Sequence, residues 1–132
     1  MRALGINWLA VLAAAVAVYA IGFMIYGLLI PEEMAMSSMT EAEKSVAMSR
    51  MAFGPVMPIL TAAFLAILFR WGGVASAAKG AQFAALVALA SAIPTMLYGW
   101  VYGGIPTETT AIDSAHLMLG HVVAGAILGG WR

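Results

Sequence analysis

Apolar residues fall into four long runs, each closed by polar or turn-forming residues. They cover about 3–30, 54–71, 81–104 and 112–131, and the first carries no charge after Arg2. A helix needs roughly 20 mostly apolar residues to cross the hydrocarbon core of a bilayer. The pattern therefore predicts an all-α polytopic membrane protein: one transmembrane domain over 1–132 with four spanning helices. Arg2 and the small residues of AVYA (17–20) would suit a cleaved signal peptide, but the run exceeds a usual signal core, so a retained helix is expected. The second run is the shortest, and Pro55 and Pro58 predict a bend at its start. Pro94 interrupts the third by removing a backbone bond and freeing a carbonyl near Ala90, where Ser91 and Thr95 are close enough to help. A kink there is the plain expectation and a gating hinge the sharper one. Between the first two runs, TEAE (40–43) reads as a capping box, with Thr40 as cap and Glu43 reaching back to its N–H. It predicts a short outer-side helix over about 41–53, lying near the interface or extending the second crossing.

Two phrases occur twice. AILFRW (66–71) ends the second run and AILGGW (126–131) ends the fourth. MIYGLLIPEE (24–33) ends the first and MLYGWVYGGIPTE (96–108) ends the third. The four helices thus read as two similar hairpins related by an axis along the membrane normal. Convergence is the plain alternative, because interfaces recruit Trp and Tyr and helix ends recruit Pro.

Composition agrees with lipid as the solvent: 64% of residues are hydrophobic and only 9% charged, with a mean hydropathy of +0.98. Soluble domains carry about a quarter charged residues. Net charge is zero and the six basic residues make no patch, which gives no hint of nucleic-acid binding. Without cysteine there is no disulfide, thiolate metal site or cysteine nucleophile. In a four-crossing arrangement Arg2, Arg70, Lys79 and Arg132 share one side. Glu32, Glu33, Glu41, Glu43, Glu108 and Asp113 share the other, with Lys44 and Arg50. The positive-inside rule then places both termini and the 70–80 connection in the cytoplasm. Trp8, Trp71 and Trp131 would mark the inner interface, and Tyr26, Trp100 and Tyr102 the outer one.

Helices in lipid associate where small residues let backbones approach. The fourth helix offers Gly120, Ala124, Gly125 and Gly129; the first offers Ala10, Ala13, Ala14 and Ala17; the third offers Ala81, Ala85 and Ala88. Internal packing is the first expectation for these and a self-association face the second. No acid, Lys or Arg is expected near the middle of a crossing. His116 and His121 are the remaining candidates, and their spacing puts them about 140° apart on one helix, so they do not share a metal within one chain. His116 is expected near the outer end, beside Asp113 and wet; His121 deeper. Bonding to a neighbouring helix is the plain role for both, and haem or pigment ligation the sharper one. In the outer connection Met34, Met36 and Met39 supply soft thioethers that favour Cu(I), with a histidine to complete the site. Methionine also fills irregular apolar interfaces. No Ser–His–Asp set, Gly-rich phosphate loop or His-Glu helix motif is visible.

INWLAVLAAAVAVYAIGFMIYG (6–27) and GAILGGWR (125–132) resemble DUF1761, an uncharacterised bacterial membrane family. The shared features are chain length, an Asn-Trp-Leu-Ala opening, four predicted crossings and a closing Gly-Ala-Ile-Leu-x-x-Trp run. Such sequences often carry a tyrosine early in the last helix, where this chain has His116 and His121. The resemblance implies a fold class and a membrane location, and no activity, cofactor or catalytic residue. The expectation is an inner-membrane protein with no enzymatic activity and no required cofactor. It would be an accessory or structural subunit, partnered by lipid and by itself or other membrane subunits. A small-solute transporter or channel is the alternative, and an outer-side Cu(I)-handling protein a lesser one.

Overall fold

The structure is a computed structural model that describes residues 2–3, 5–29 and 39–131. It is all-α apart from a two-stranded antiparallel ribbon, β1 (Arg2–Ala3) with β2 (Ile6–Asn7). The helices are α1 (Trp8–Leu29), α2 (Glu41–Met51), α3 (Val56–Trp71), α4 (Ala77–Val87), a π-helical turn (Ala88–Ala92), α5 (Ile93–Gly103) and α6 (Thr107–Gly130). Among the described residues, four segments are long and apolar enough to cross a membrane: Trp8–Leu29, Glu41–Trp71, Ala77–Gly103 and Thr107–Gly130.

The ends of these helices differ from the hydropathy pattern for local reasons. α1 begins at Trp8, not near 3, because the chain first folds as the ribbon. Asn7 then caps the helix, its Oδ1 accepting from the N–H of Leu9 at 3.2 Å. α2 has the expected capping box: Thr40 Oγ1 accepts from the Glu43 N–H at 3.3 Å, and Glu43 Oε2 accepts from the Thr40 N–H at 2.8 Å. Tight turns over 50–56 pass α2 directly into α3, so the short outer helix extends the second crossing. Pro55 and Pro58 sit at the cap and first turn of α3, where no intrahelical N–H bond is missed. The third crossing begins at Ala77, four residues early, with Ser76 as its cap accepting from the Lys79 N–H at 3.3 Å.

Pro94 does interrupt the third crossing, and the π turn lies immediately before it. π turns and prolines are both recognised sources of helix irregularity. Ser91 Oγ donates to the Val87 carbonyl and Thr95 Oγ1 to the Ser91 carbonyl, each at 2.8 Å. The two hydroxyls thus bond carbonyls flanking the expected one at Ala90. α5 ends at Gly104, whose φ of +68° turns the chain so that the Ile105 N–H reaches the Gly99 carbonyl at 3.3 Å.

α6 is the centre of the bundle and packs on α1, α3, α4, the π turn and α5. The core is built of small residues: Ala14, Ala62, Ala84, Ala88 and Ala124 are fully buried. The closest seam joins α4 to α6. A Cβ on Gly125 would run into the Gly80 carbonyl and the Ala84 methyl, and one on Gly129 would meet the Ser76 carbonyl. Gly120 instead lets Val18 of α1 approach. Three of the four small positions on the fourth helix, Ala124, Gly125 and Gly129, are therefore consumed in the α4 seam or the core, and Gly120 in the α1 contact. On the third crossing the seam uses Gly80, Ala84 and Ala88; Ala81 and Ala85 lie one position off it. On α1 the buried set is Ala10, Val11, Ala14 and Ala15, with Ala13 and Ala17 partly exposed.

Candidate functional site: a polar cluster between the first and last helices

α6 starts five residues before the apolar run does, at Thr107. Glu108 and Asp113 therefore belong to the helix. At 1.5 Å per residue α6 is about 36 Å long, with Asp113 about 9 Å and His116 about 14 Å from its first residue. Asp113 and His116 are three positions apart, on one face. That face meets α1 at Gly22 and Tyr26, themselves one turn apart.

Tyr26 donates its hydroxyl proton to Asp113 Oδ1 at 2.6 Å. His116 Nδ1 lies 3.4 Å from the same Tyr26 oxygen, and the two rings meet edge-on at a centroid distance of 5.3 Å. On its other side the imidazole presses on α1. A Cβ on Gly22 would come within 2.8 Å of Nε2, so glycine is what admits the ring. Nε2 is buried and has no hydrogen-bond partner. A buried N–H without an acceptor is rarer and costlier than a buried lone pair. Nε2 is therefore the bare nitrogen, and the proton sits on Nδ1, directed at Tyr26. The outcome is a directed chain, His116 Nδ1–H to Tyr26 O–H to Asp113 carboxylate. Among the described residues no cation pairs with Asp113.

Asp113 lies about 9 Å from the start of α6, so among the described residues no acid reaches the middle of this crossing. One expectation is corrected. His116 is half-buried with Nε2 cut off from water, so it is not a wet outer-end residue. Tyr26, three residues before the end of α1, is turned inward to α6. His121 also departs: its Nδ1–H donates to the Leu117 carbonyl of its own helix at 2.7 Å, one turn back, and not to a neighbouring helix. The structure does not bring His116 and His121 together at one centre. Met34 and Met36 lie outside the described residues; Met39 precedes α2, and His116 directs its ring at α1. Among the described residues no group of three His, Cys, Asp or Glu side chains could hold a metal.

The opposite end holds the second polar feature. Asn7 Nδ2 donates to the Trp131 carbonyl at 3.5 Å, and the Arg70 guanidinium lies against Gly5. A cavity of about 290 Å³ opens there, lined in part by Asn7, Ala66, Phe69, Arg70, Leu128 and Trp131. Both copies of the Ala-Ile-Leu…Trp phrase thus flank one cavity, through different positions, and the opening and closing stretches of the chain meet beside it.

The model of DUF1761, described as a protein of unknown function, matches residues 9–129. The chain belongs to DUF1761. The match runs through the middle of the chain, well beyond the two end stretches that carry the resemblance, and it includes Gly22, Tyr26, Asp113 and His116. No curated protein and no solved structure matches this DUF1761 chain.

Proposed function

We propose that this DUF1761 protein is a non-enzymatic subunit of the bacterial inner membrane, with both termini and the 72–76 connection in the cytoplasm, and that it works packed against a second copy or another membrane protein. The observation that supports it is the unequal engagement of the helices. α6 is surrounded, whereas α5 buries no residue and turns outward Leu97, Trp100, Val101 and the stacked pair Tyr98–Tyr102. The outer end of α1 also leaves Gly27 with nothing within 4 Å of a would-be Cβ, the kind of gap that admits a close-packed helix in lipid. Native mass measurement after extraction in mild detergent tests this reading. A defined oligomer or a stoichiometric partner is expected; a lone monomer with no co-purifying protein would overturn it.

A small-solute transporter is the second reading, favoured by the ionisable cluster inside a membrane-length helix. Flux into proteoliposomes above that of empty vesicles would support it over the subunit reading.

A further inference from the structure

We propose that the cavity at the Arg70 end of the bundle holds the headgroup of one anionic phospholipid. The lipid phosphate lies on the Arg70 guanidinium, and the acyl chains stay outside, along the helices. The site is separate from the Tyr26–Asp113–His116 cluster and does not depend on the subunit reading.

The cavity is walled by the ribbon, the start of α1, the end of α3 and the end of α6. Its walls are fixed. Phe69 is buried and meets Phe83 edge-on at a centroid distance of 5.6 Å. Gly5, at φ +69°, turns the ribbon, and a Cβ there would come within 3.2 Å of the guanidinium carbon, so glycine leaves Arg70 its place. The two copies of the repeated phrase differ at the positions that matter. The first has Phe69–Arg70 where the second has Gly129–Gly130. One copy supplies the cation and its aromatic wall, while Gly129 of the other admits α4. A duplicated phrase thus yields a single charged site.

The electrostatics favour an anion. Arg70 is the one charged side chain among the described residues that line the cavity, and no acid is among them. The carbonyls at the ends of α3 and α6 are answered within the protein. Leu68 accepts from the Gly72 N–H at 2.8 Å, Phe69 from the Val74 N–H at 3.0 Å, and Trp131 from Asn7 Nδ2 at 3.5 Å. α1 begins at the cavity and brings the positive end of its dipole. A guanidinium has five N–H donors in a planar fork, enough to hold protein neighbours and a phosphate together. The Asn7 amide has a second N–H beside the one given to Trp131.

Depth and size select a lipid. Trp71 is 79% exposed and Trp131 46%, and exposed tryptophans at helix ends sit at headgroup level in a bilayer. Basic pockets between spanning helices are recognised headgroup sites. The volume of about 290 Å³ is at the low end for small-molecule pockets, which start at roughly 300 Å³. It suits a headgroup and excludes the chains. The absence of a lining acid sets the preference, since the ammonium of an ethanolamine headgroup would find no carboxylate there.

The full chain, purified in mild detergent and stripped of lipid, tests this by native mass spectrometry. The probes are palmitoyl-oleoyl phosphatidylglycerol, the matching phosphatidylethanolamine, and soluble glycerophosphate. One tightly held phosphatidylglycerol per chain is expected, with the ethanolamine lipid and glycerophosphate each bound much more weakly. Arg70→Gln should weaken phosphatidylglycerol binding about tenfold or more, as loss of a charge-assisted pair does. Ala66→Leu, which narrows the cavity and keeps the charge, should weaken it too. Lys79→Gln, at the same end but off the cavity wall, should leave it unchanged. The proposal is overturned if the native chain holds no phosphatidylglycerol or holds both lipids equally. Glycerophosphate binding as tightly as the lipid would overturn it in favour of a soluble phosphate ester. Equal weakening by Lys79→Gln and Arg70→Gln would overturn it in favour of general attraction to a basic end.

Discussion

At the scale of single residues, the contact that defines the cluster is between a glycine and a histidine. Gly22→Ala places a methyl within 2.8 Å of His116 Nε2, and the ring has helix on its far side. Overpacking of this kind costs about 1–3 kcal/mol, and that loss is expected in unfolding from detergent micelles. In a His116→Ala background the same methyl has room, so the cost should fall below about 1 kcal/mol; equal losses in both backgrounds would show that the two residues do not meet. Tyr26→Phe removes the bond to Asp113 and keeps the ring. Interhelical bonds of this type in membranes contribute about 0.6–1.7 kcal/mol, so a small but measurable destabilisation is expected. The sequence signalled half of this site. Asp113 and His116 are three apart, and that spacing is visible in one dimension. Their partner is on the first helix, 87 residues from Asp113 in the chain. No local pattern separates an inward tyrosine from an interface tyrosine, since both occupy the same helix end. Gly22 gave no signal either, because one glycine in an apolar run has no period.

At the scale of helices, the decisive element is the α4–α6 seam. Gly125→Leu or Gly129→Val must push backbone away from the carbonyl of Gly80 or Ser76, so a loss of about 2–3 kcal/mol or more is expected. Gly27→Ala is the matched control. Its Cβ meets nothing, and alanine is the better helix former by about 1 kcal/mol, so the isolated monomer should be no less stable. Unfolding curves of the three variants in one detergent check both statements together. The seam also shows where hydropathy runs out. The third crossing is so rich in alanine that two neighbouring faces look equally small; only Gly80, which admits the α6 backbone, distinguishes the true one. Helix ends were blurred for another reason. Hydropathy locates the apolar stretch, whereas a helix begins at its caps and runs through polar turns outside the hydrocarbon. The Thr-Glu-Thr-Thr turn of α6 and the Ala-Ala-Lys turn of α4 are of that kind. Only α2, with its Thr40–Glu43 box, declared its start in sequence.

At the scale of the whole molecule, the geometry joins what charge counting could only group. Asn7 bonds to Trp131, Arg70 rests on Gly5, and Ser76 meets Gly129, so the start of α1, the end of α3, the start of α4 and the end of α6 lie at one end of the bundle. That end carries Arg70 and Lys79, while Glu41, Glu43, Glu108 and Asp113 lie toward the other. A bilayer resolves which end faces the cytoplasm through its bias for Lys and Arg in short inner connections. The 72–76 connection is short, so its flanking Arg70 and Lys79 fall within the range where such charges count. Fusion of a fluorescent protein after Arg132 should give a bright, cytoplasmic reporter, and alkaline phosphatase inserted at 104–106 should be active. Reversing Arg70 and Lys79 to Glu removes the bias from that connection. A measurable fraction of chains should then insert inverted, with phosphatase activity at 104–106 falling as the fraction rises. Dark fluorescence at the C-terminus together with inactive phosphatase in the unaltered chain would turn the molecule over in the membrane. It would place the Tyr26–Asp113–His116 chain toward the cytoplasm.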